Sequence, residues 1–393
     1  MAMLQRVELD EENEATNPTN ELIKTEQDAI EYFGDKPVRW VQKAVRGAVE
    51  IALENKIRTN LVVLPTGVGK TVVCGLTIAS PRVRKALNVP DTRPLRVLFI
   101  AHLHRLLTQA ERTFGEQCGV EIKLTTPFTD IDPAIFEWAD IVFLDECHHE
   151  SCSSIQLQLS KMAHKPFIGL TATPDRADGM VIKFENIIQP ITREQAVAEG
   201  WLAETSLWSF IDTSSKNKTQ VVKQILNQYI DIMDGTLVFM RTIKEVIEIN
   251  KHINQLGYKS VALTNQKPDE LNDILDSFSR GEIQFLINCS RLGEGIDVIG
   301  CTSVVFGCTV GSYPKLNQYV GRAARPDTDC RIFELVNPLS GRNLDVTAIV
   351  GTPKKHTLCS PQPDGTFKER LFNYVRQDSG IESVKAIGAR RRG

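Results

Sequence analysis

The feature that most narrows what this chain can fold into is the stretch Leu61-Val62-Val63-Leu64-Pro65-Thr66-Gly67-Val68-Gly69-Lys70-Thr71, followed by a helical pattern, VVCGLTIA. An apolar run ends at Pro65, two glycines turn the chain, and a helix starts. A strand that is apolar at every position must be covered on both faces, which a parallel sheet flanked by helices provides. The same alternation recurs. Apolar runs at 95–101, 140–145 and 167–172 sit among helical patterns. The rhythm stops over 174–205 and restarts with runs at 236–240, 260–264, 283–288, 302–307 and 331–336. The expectation is therefore an α/β fold of two tandem units, each a mostly parallel sheet flanked by helices. A length of 393 residues, 42% of them hydrophobic, suits two such cores. The boundaries read as an acidic, polar extension over 1–36, a first unit over 37–200, a second over 201–345, and a polar, basic segment over 346–393 that ends in Arg390, Arg391 and Arg392.

The glycine turn carries chemistry. Gly67 and Gly69 let the loop from Pro65 through Thr66 and Val68 turn its N–H groups inward at a helix N-terminus, which is a nest for phosphate. Lys70 is placed for the outer phosphates of a nucleoside triphosphate and the Thr71 hydroxyl for Mg2+. A second segment, DIVFLDECHHE, ends a buried strand with Asp145 and Glu146, where α/β sheets place ligands. Asp145 suits Mg2+, held through its water shell. Glu146 suits orienting and deprotonating an attacking water. In KLNQYVGRAARP, Gln318, Arg322 and Arg325 recur at i, i+4 and i+7, one face of a helix, and Gly321 permits close approach of another surface. Cations delivered by a second unit would make hydrolysis depend on closure of the two units.

Taken together these segments resemble helicase superfamily 2. Asp145-Glu146-Cys147-His148 is similar to its DExH box, Thr171-Ala172-Thr173 to its third motif, and QYVGRAAR to its sixth. Leu64 stands where the general phosphate-loop pattern has glycine, a departure common in this superfamily. The resemblance implies two RecA-like domains with ATP in the cleft between them. It implies that Arg39 and Gln42, in Arg39-Trp40-Val41-Gln42, read the adenine, with Trp40 either stacking on the base or packing the helix. It further implies arginine fingers at Arg322 and Arg325, Gly295 and Asp297 at the nucleotide, and Ser290 at nucleic-acid phosphate. Thr171 and Thr173 would couple hydrolysis to movement. His102, His104, Arg105, Thr125, Thr126 and Arg241 follow strands in the manner of the superfamily's backbone-gripping motifs. The expected partner is DNA, single-stranded, forked or branched, with RNA as the alternative. DECHH and Gln318 depart from the DEAD-box RNA pattern.

Bulk properties bound the rest. A net charge of -3 gives no global basic field, so nucleic acid must be held by a local lining. The nine cysteines are odd in number, form no CxxC pair and sit mostly in apolar runs, as in a reducing compartment. Cys147, His148, His149 and Cys152 cluster, yet their order matches no zinc spacing. The N-terminus lacks the apolar core of a signal peptide, and no run reaches the roughly 18 apolar residues a membrane helix needs. The expectation is a cytoplasmic monomer that does not engage a membrane; the compact chain also resembles small phage or mobile-element helicases that act on branched or forked DNA, which implies a part in DNA repair or recombination.

Overall fold

The computed structural model describes residues 32–33, 36–101, 119–126, 131–147, 165–172, 184–212, 217–289, 298–308, 316, 319–321, 323, 328–337 and 346–372. His102, His104, Arg105, His148, His149, Cys152, Thr173, Ser290, Gly295, Asp297, Gln318, Arg322 and Arg325 lie outside them.

The first unit opens with helix α1 (Trp40–Glu54), whose Val41, Val45, Val49 and Leu53 recur near every fourth residue and are buried. Strands β1 (Thr59–Val63), β2 (Leu95–Ile100), β3 (Val120–Thr125), β4 (Ile141–Leu144), β5 (Phe167–Thr171) and β6 (Asn186–Ile188) form one sheet. Its order is β3-β2-β4-β5-β1-β6, parallel throughout. Helices α2 (Lys70–Ala79), α3 (Pro81–Ala86) and α4 (Pro133–Trp138) flank it. The strand pleat sorts β1 between two cores. Val62 packs under α1 and α2, while Leu61 and Val63 join Phe136 and Phe167 on the other face. Because the strands are parallel, the residues after β1, β4 and β5 all emerge at one end of the sheet.

Helix α5 (Arg193–Ala198), capped by Thr192 and Gln195, leads through a short connector into β7 (Thr205–Ile211). The second sheet adds β8 (Thr236–Phe239), β9 (Ser260–Leu263), β10 (Phe285–Asn288), β11 (Ser303–Phe306), β12 (Cys330–Val336), β13 (Lys355–Pro361) and β14 (Phe367–Phe372). Its order is β9-β10-β8-β11-β12-β7-β13-β14, and only β13 with β14 is antiparallel. Helices α6 (Lys218–Tyr229), α7 (Ile243–Gln255) and α8 (Pro268–Ser279) connect the inner strands, and α9 (Thr347–Val350) precedes β13. Leu237 and Phe239 face one core and Val238 the other.

The apolar runs read from sequence all appear as strands, trimmed by a residue or two at their ends. Five of these strands were not anticipated, among them β6, which lies inside the 174–205 stretch read as a break in the rhythm. In β3, half-buried and exposed positions alternate along an edge of the first sheet, so VEIKLT carries no continuous apolar run. The strand β7 lies between the 174–205 stretch and the run at 236–240, where no strand was read. β13 and β14 fall inside the segment read as a polar tail, and they extend the second sheet by two strands. Outer strands bury one face at most, which lets Lys, His, Thr and Ser interrupt their sequence. Among the described residues no helix is long and apolar enough to cross a membrane.

Candidate nucleotide site

The loop between β1 and α2 is built by its two glycines. Gly67 has φ +93° and Gly69 φ +101°, a region L side chains rarely enter. A side chain at either position would also have to displace a neighbour. A Cβ on Gly69 would lie 2.5 Å from Gln42 Nε2, and one on Gly67 would lie 3.0 Å from Leu202 Cδ2. Val68 N–H donates to Pro65 O at 3.2 Å and closes the turn. Gly69 is then the N-cap of α2, which has neither a side-chain cap nor an acidic residue in its first turn. The amides at this helix start therefore face no protein carboxylate of their own turn, the arrangement an anion requires.

Three side chains converge on the loop. Lys70 Nζ lies 3.6 Å from Glu146 Oε1, both side chains largely buried. Glu146 has φ +51°, a left-handed conformation that costs a non-glycine residue about 1–2 kcal/mol and gathers at functional sites. Its N–H donates to Asp145 Oδ1 at 2.9 Å, and Asp145 N–H donates to Ile100 O, tying the acidic pair to the end of β2. Thr71 is half-buried one residue beyond Lys70. Gln42 spans the outside of the loop: its Nε2 donates to Val68 O at 2.8 Å, and its Oε1 accepts from Arg39 N–H at 2.9 Å. Arg39 Nη1 reaches Gly67 O and Val68 O, both at 3.4 Å. Burial pulls the Arg39 pKa below the ordinary arginine value. Thr171, fully buried, accepts from Leu64 N–H at 3.0 Å and so braces the strand that feeds the loop.

The second sheet reaches this loop. Leu316, Tyr319, Val320 and Ala323 are buried on its face, and Tyr319 stacks on Phe239 with centroids 3.9 Å apart. This anchoring turns Gly321 toward Thr66. A Cβ on Gly321 would lie 2.5 Å from Thr66 Cγ2 and 2.8 Å from Thr66 Cβ. Thr66 Oγ1 is buried beneath this contact with no hydrogen-bond partner among the described residues. Glycine cradle, lysine, acidic pair and orphaned hydroxyl together fit a triphosphate with its metal ion.

The structure thus brings Arg39, Gln42, Pro65, Thr66, Gly67, Val68, Gly69, Lys70, Thr71, Asp145, Glu146 and Thr171 to one place. Thr125 and Thr126 stand apart, at the end of the edge strand β3, with Thr125 O accepting from Ala101 N–H. Arg241 lies at the end of β8, exposed, its N–H donating to Glu245 Oε2. Sequence reasoning missed Trp201 and Leu202. Nothing local marks them, because their partners are the distant Arg39, Trp40 and Gly67.

Both halves of the chain match known families. Residues 35–129 match the family of the type III restriction enzyme res subunit, and residues 217–327 match the helicase conserved C-terminal domain. A 51.5 kDa protein of a Lactococcus phage is 24% identical over 268 residues, covering 61% of this chain and 57% of its own length. The chain thus spans little more than half of that relative. The protein named DNA 3'-5' translocase XPB2 of Sulfurisphaera tokodaii is 22% identical over 353 residues, 72% of this chain and 78% of its own. Among solved structures, a fragment assigned to the HsdR subunit of a type I restriction enzyme from Vibrio vulnificus superposes with TM-score 0.66 at 21% identity, over 84% of this chain and 70% of that one. Since the two matched regions fall one on each sheet, in chain order, and the fold is shared, this chain belongs to helicase superfamily 2, as two tandem RecA-like domains.

Proposed function

We propose that the chain is an ATP-driven DNA motor that hydrolyses ATP between its two sheets and uses the cycle to move along the DNA backbone and remodel forked or branched DNA. One observation carries the reading: Gly321 of the second domain abuts Thr66 of the phosphate loop, so the loop that receives the nucleotide is walled by both domains. Phosphoryl transfer needs positioning and charge neutralisation more than covalent help. The loop amides and Lys70 hold the phosphates. Lys70 is drawn from Glu146 to the triphosphate, which frees the carboxylate to orient and deprotonate the attacking water. A magnesium ion held by Thr71 and Asp145 would supply further charge neutralisation at the phosphates. Gln42 and Arg39 hold the base. Arg322 and Arg325, next to Gly321 in sequence, bring cations from the second sheet, with Asp297 and Gly295 at the ribose and phosphate. Thr171 and Thr173 link this cycle to the grip on the backbone.

DNA is favoured by the XPB2 relative, which is named for a DNA translocase, by the restriction-enzyme matches, and by DECHH in place of the DEAD-box sequence. The test is the ATPase rate against single-stranded, linear duplex, forked and four-way DNA and single-stranded RNA, with strand displacement followed in parallel. The strongest stimulation is expected from forked or four-way DNA. Equal stimulation by RNA, or stimulation by linear duplex with no strand displaced, would replace this reading with an RNA helicase or a duplex translocase.

A further inference from the structure

Trp201 belongs to no motif of the nucleotide site, yet it bears on it from the connector between α5 and β7. Arg39 Cζ stands 5.2 Å from the centroid of its ring, and the Trp40 ring lies 5.8 Å away at 51°. The next residue, Leu202, is the side chain that a Cβ on Gly67 would meet. Two adjacent connector residues thus press on the phosphate loop: Leu202 on its turn, and Trp201 on the arginine whose Nη1 reaches the Gly67 and Val68 carbonyls. A guanidinium is planar and stacks on aromatic faces, so the indole fixes the plane of Arg39. Beside it, the Gln42 amide spends one N–H on Val68 O and one lone pair on Arg39 N–H. Among the described residues one donor and one acceptor remain on that amide, the pair that matches the N7 and N6 edge of adenine. The stack of Trp201 and Arg39 therefore borders the base end of the site.

We infer that Trp201 is a positioning residue for the base: from the connector between the two sheets it holds the Arg39 guanidinium as a flat wall beside Gln42. The inference rests on the nucleotide reading above. Trp201 touches no reacting atom, and Arg39 meets the phosphate loop at two carbonyls, which have no hydrogen to offer a phosphate, so the main effect of Trp201 belongs to ligands that carry a base rather than phosphate alone. A tryptophan that merely filled space beside α1 would affect both kinds of ligand alike.

The test uses the full chain and its Trp201→Phe, Trp201→Leu, Arg39→Lys and Arg39→Lys/Trp201→Leu variants. Inhibition of ATP hydrolysis by ADP and by inorganic tripolyphosphate is measured for each, with thermal melting as a check on folding. Trp201→Leu is expected to weaken ADP about tenfold and to leave tripolyphosphate within about twofold, with Trp201→Phe close to the unsubstituted chain, the span of a cation–π contact. Arg39→Lys should match Trp201→Leu, and the double variant should be no weaker than either single one, because the two residues act as one unit. Equal weakening of both ligands, no weakening of ADP, or additive losses in the double variant would overturn the inference. If Trp201→Leu does not fold, Arg39→Lys and Trp201→Phe decide by the same contrast of ligands. Failure of the unsubstituted chain to hydrolyse ATP would instead overturn the nucleotide reading itself.

Discussion

Two strand-to-helix turns of this molecule occupy equivalent places and have opposite character. The turn from β1 to α2 and the turn from β8 to α7 both leave the C-terminal end of an inner parallel strand. At α2 the N-cap is Gly69, with no side-chain cap and no acid in the first turn. At α7 the N-cap is Thr242, whose Oγ1 accepts from Glu245 N–H, while Glu245 Oε2 accepts from the N–H groups of Thr242 and Arg241. One helix start is left open to a phosphate, and the other is sealed by its own carboxylate. On the reading proposed above, a phosphate near β8 would fall to the exposed Arg241 side chain, since the amides of Arg241, Thr242 and Glu245 are already taken. Equivalent topology does not make equivalent sites; the cap decides which helix dipole an anion can reach.

Substitutions that break this contrast should rank by how directly they touch the open turn. Lys70→Ala is expected to lower ATP turnover on the order of a hundredfold or more, the usual loss when a preorganised charge is removed, as read in a steady-state ATPase assay. Gly69→Ala forces a side chain into a positive φ and against Gln42 Nε2. It should destabilise the chain by about 1–3 kcal/mol in denaturant unfolding and weaken ADP in parallel. Thr242→Ala at the sealed turn should cost about 1 kcal/mol in the same unfolding experiment and leave the KM for ATP unchanged. Glu245→Gln should have the smallest effect, a gain in DNA affinity equivalent to about 0.3–1 kcal/mol as the negative charge leaves the α7 N-terminus, seen in a salt-dependent binding titration. An ADP affinity that tracks Thr242 as closely as it tracks Gly69 would erase the contrast.

The open turn was legible in the sequence because its determinants are contiguous. Gly67, Gly69, Lys70 and Thr71 lie within five residues, and each is there for a backbone or charge reason that acts locally. Asp145 and Glu146 were legible for a similar reason, since a wholly apolar strand points its last residues at the ligand end of the sheet. The central strands were readable because burial on both faces leaves an unbroken apolar run. The outer strands β3, β13 and β14 were not, because one wet face breaks the run. The connector contacts were also invisible. Trp201 meets Arg39 and Leu202 meets Gly67 only once the chain has folded back past a whole sheet, and no periodicity encodes that return.

The central claim is that the nucleotide is worked between two domains that touch at Thr66 and Gly321. It is tested most directly by measuring ATP turnover and ADP affinity together in the Gly321→Ala chain. The added methyl group would fall 2.5 Å from Thr66 Cγ2, so the cleft cannot close fully while the phosphate loop stays intact. The account predicts turnover reduced at least about tenfold, with ADP affinity within about threefold of the unsubstituted chain, as an overpacked contact of about 1–3 kcal/mol implies. Unchanged turnover in a folded Gly321→Ala chain would contradict it.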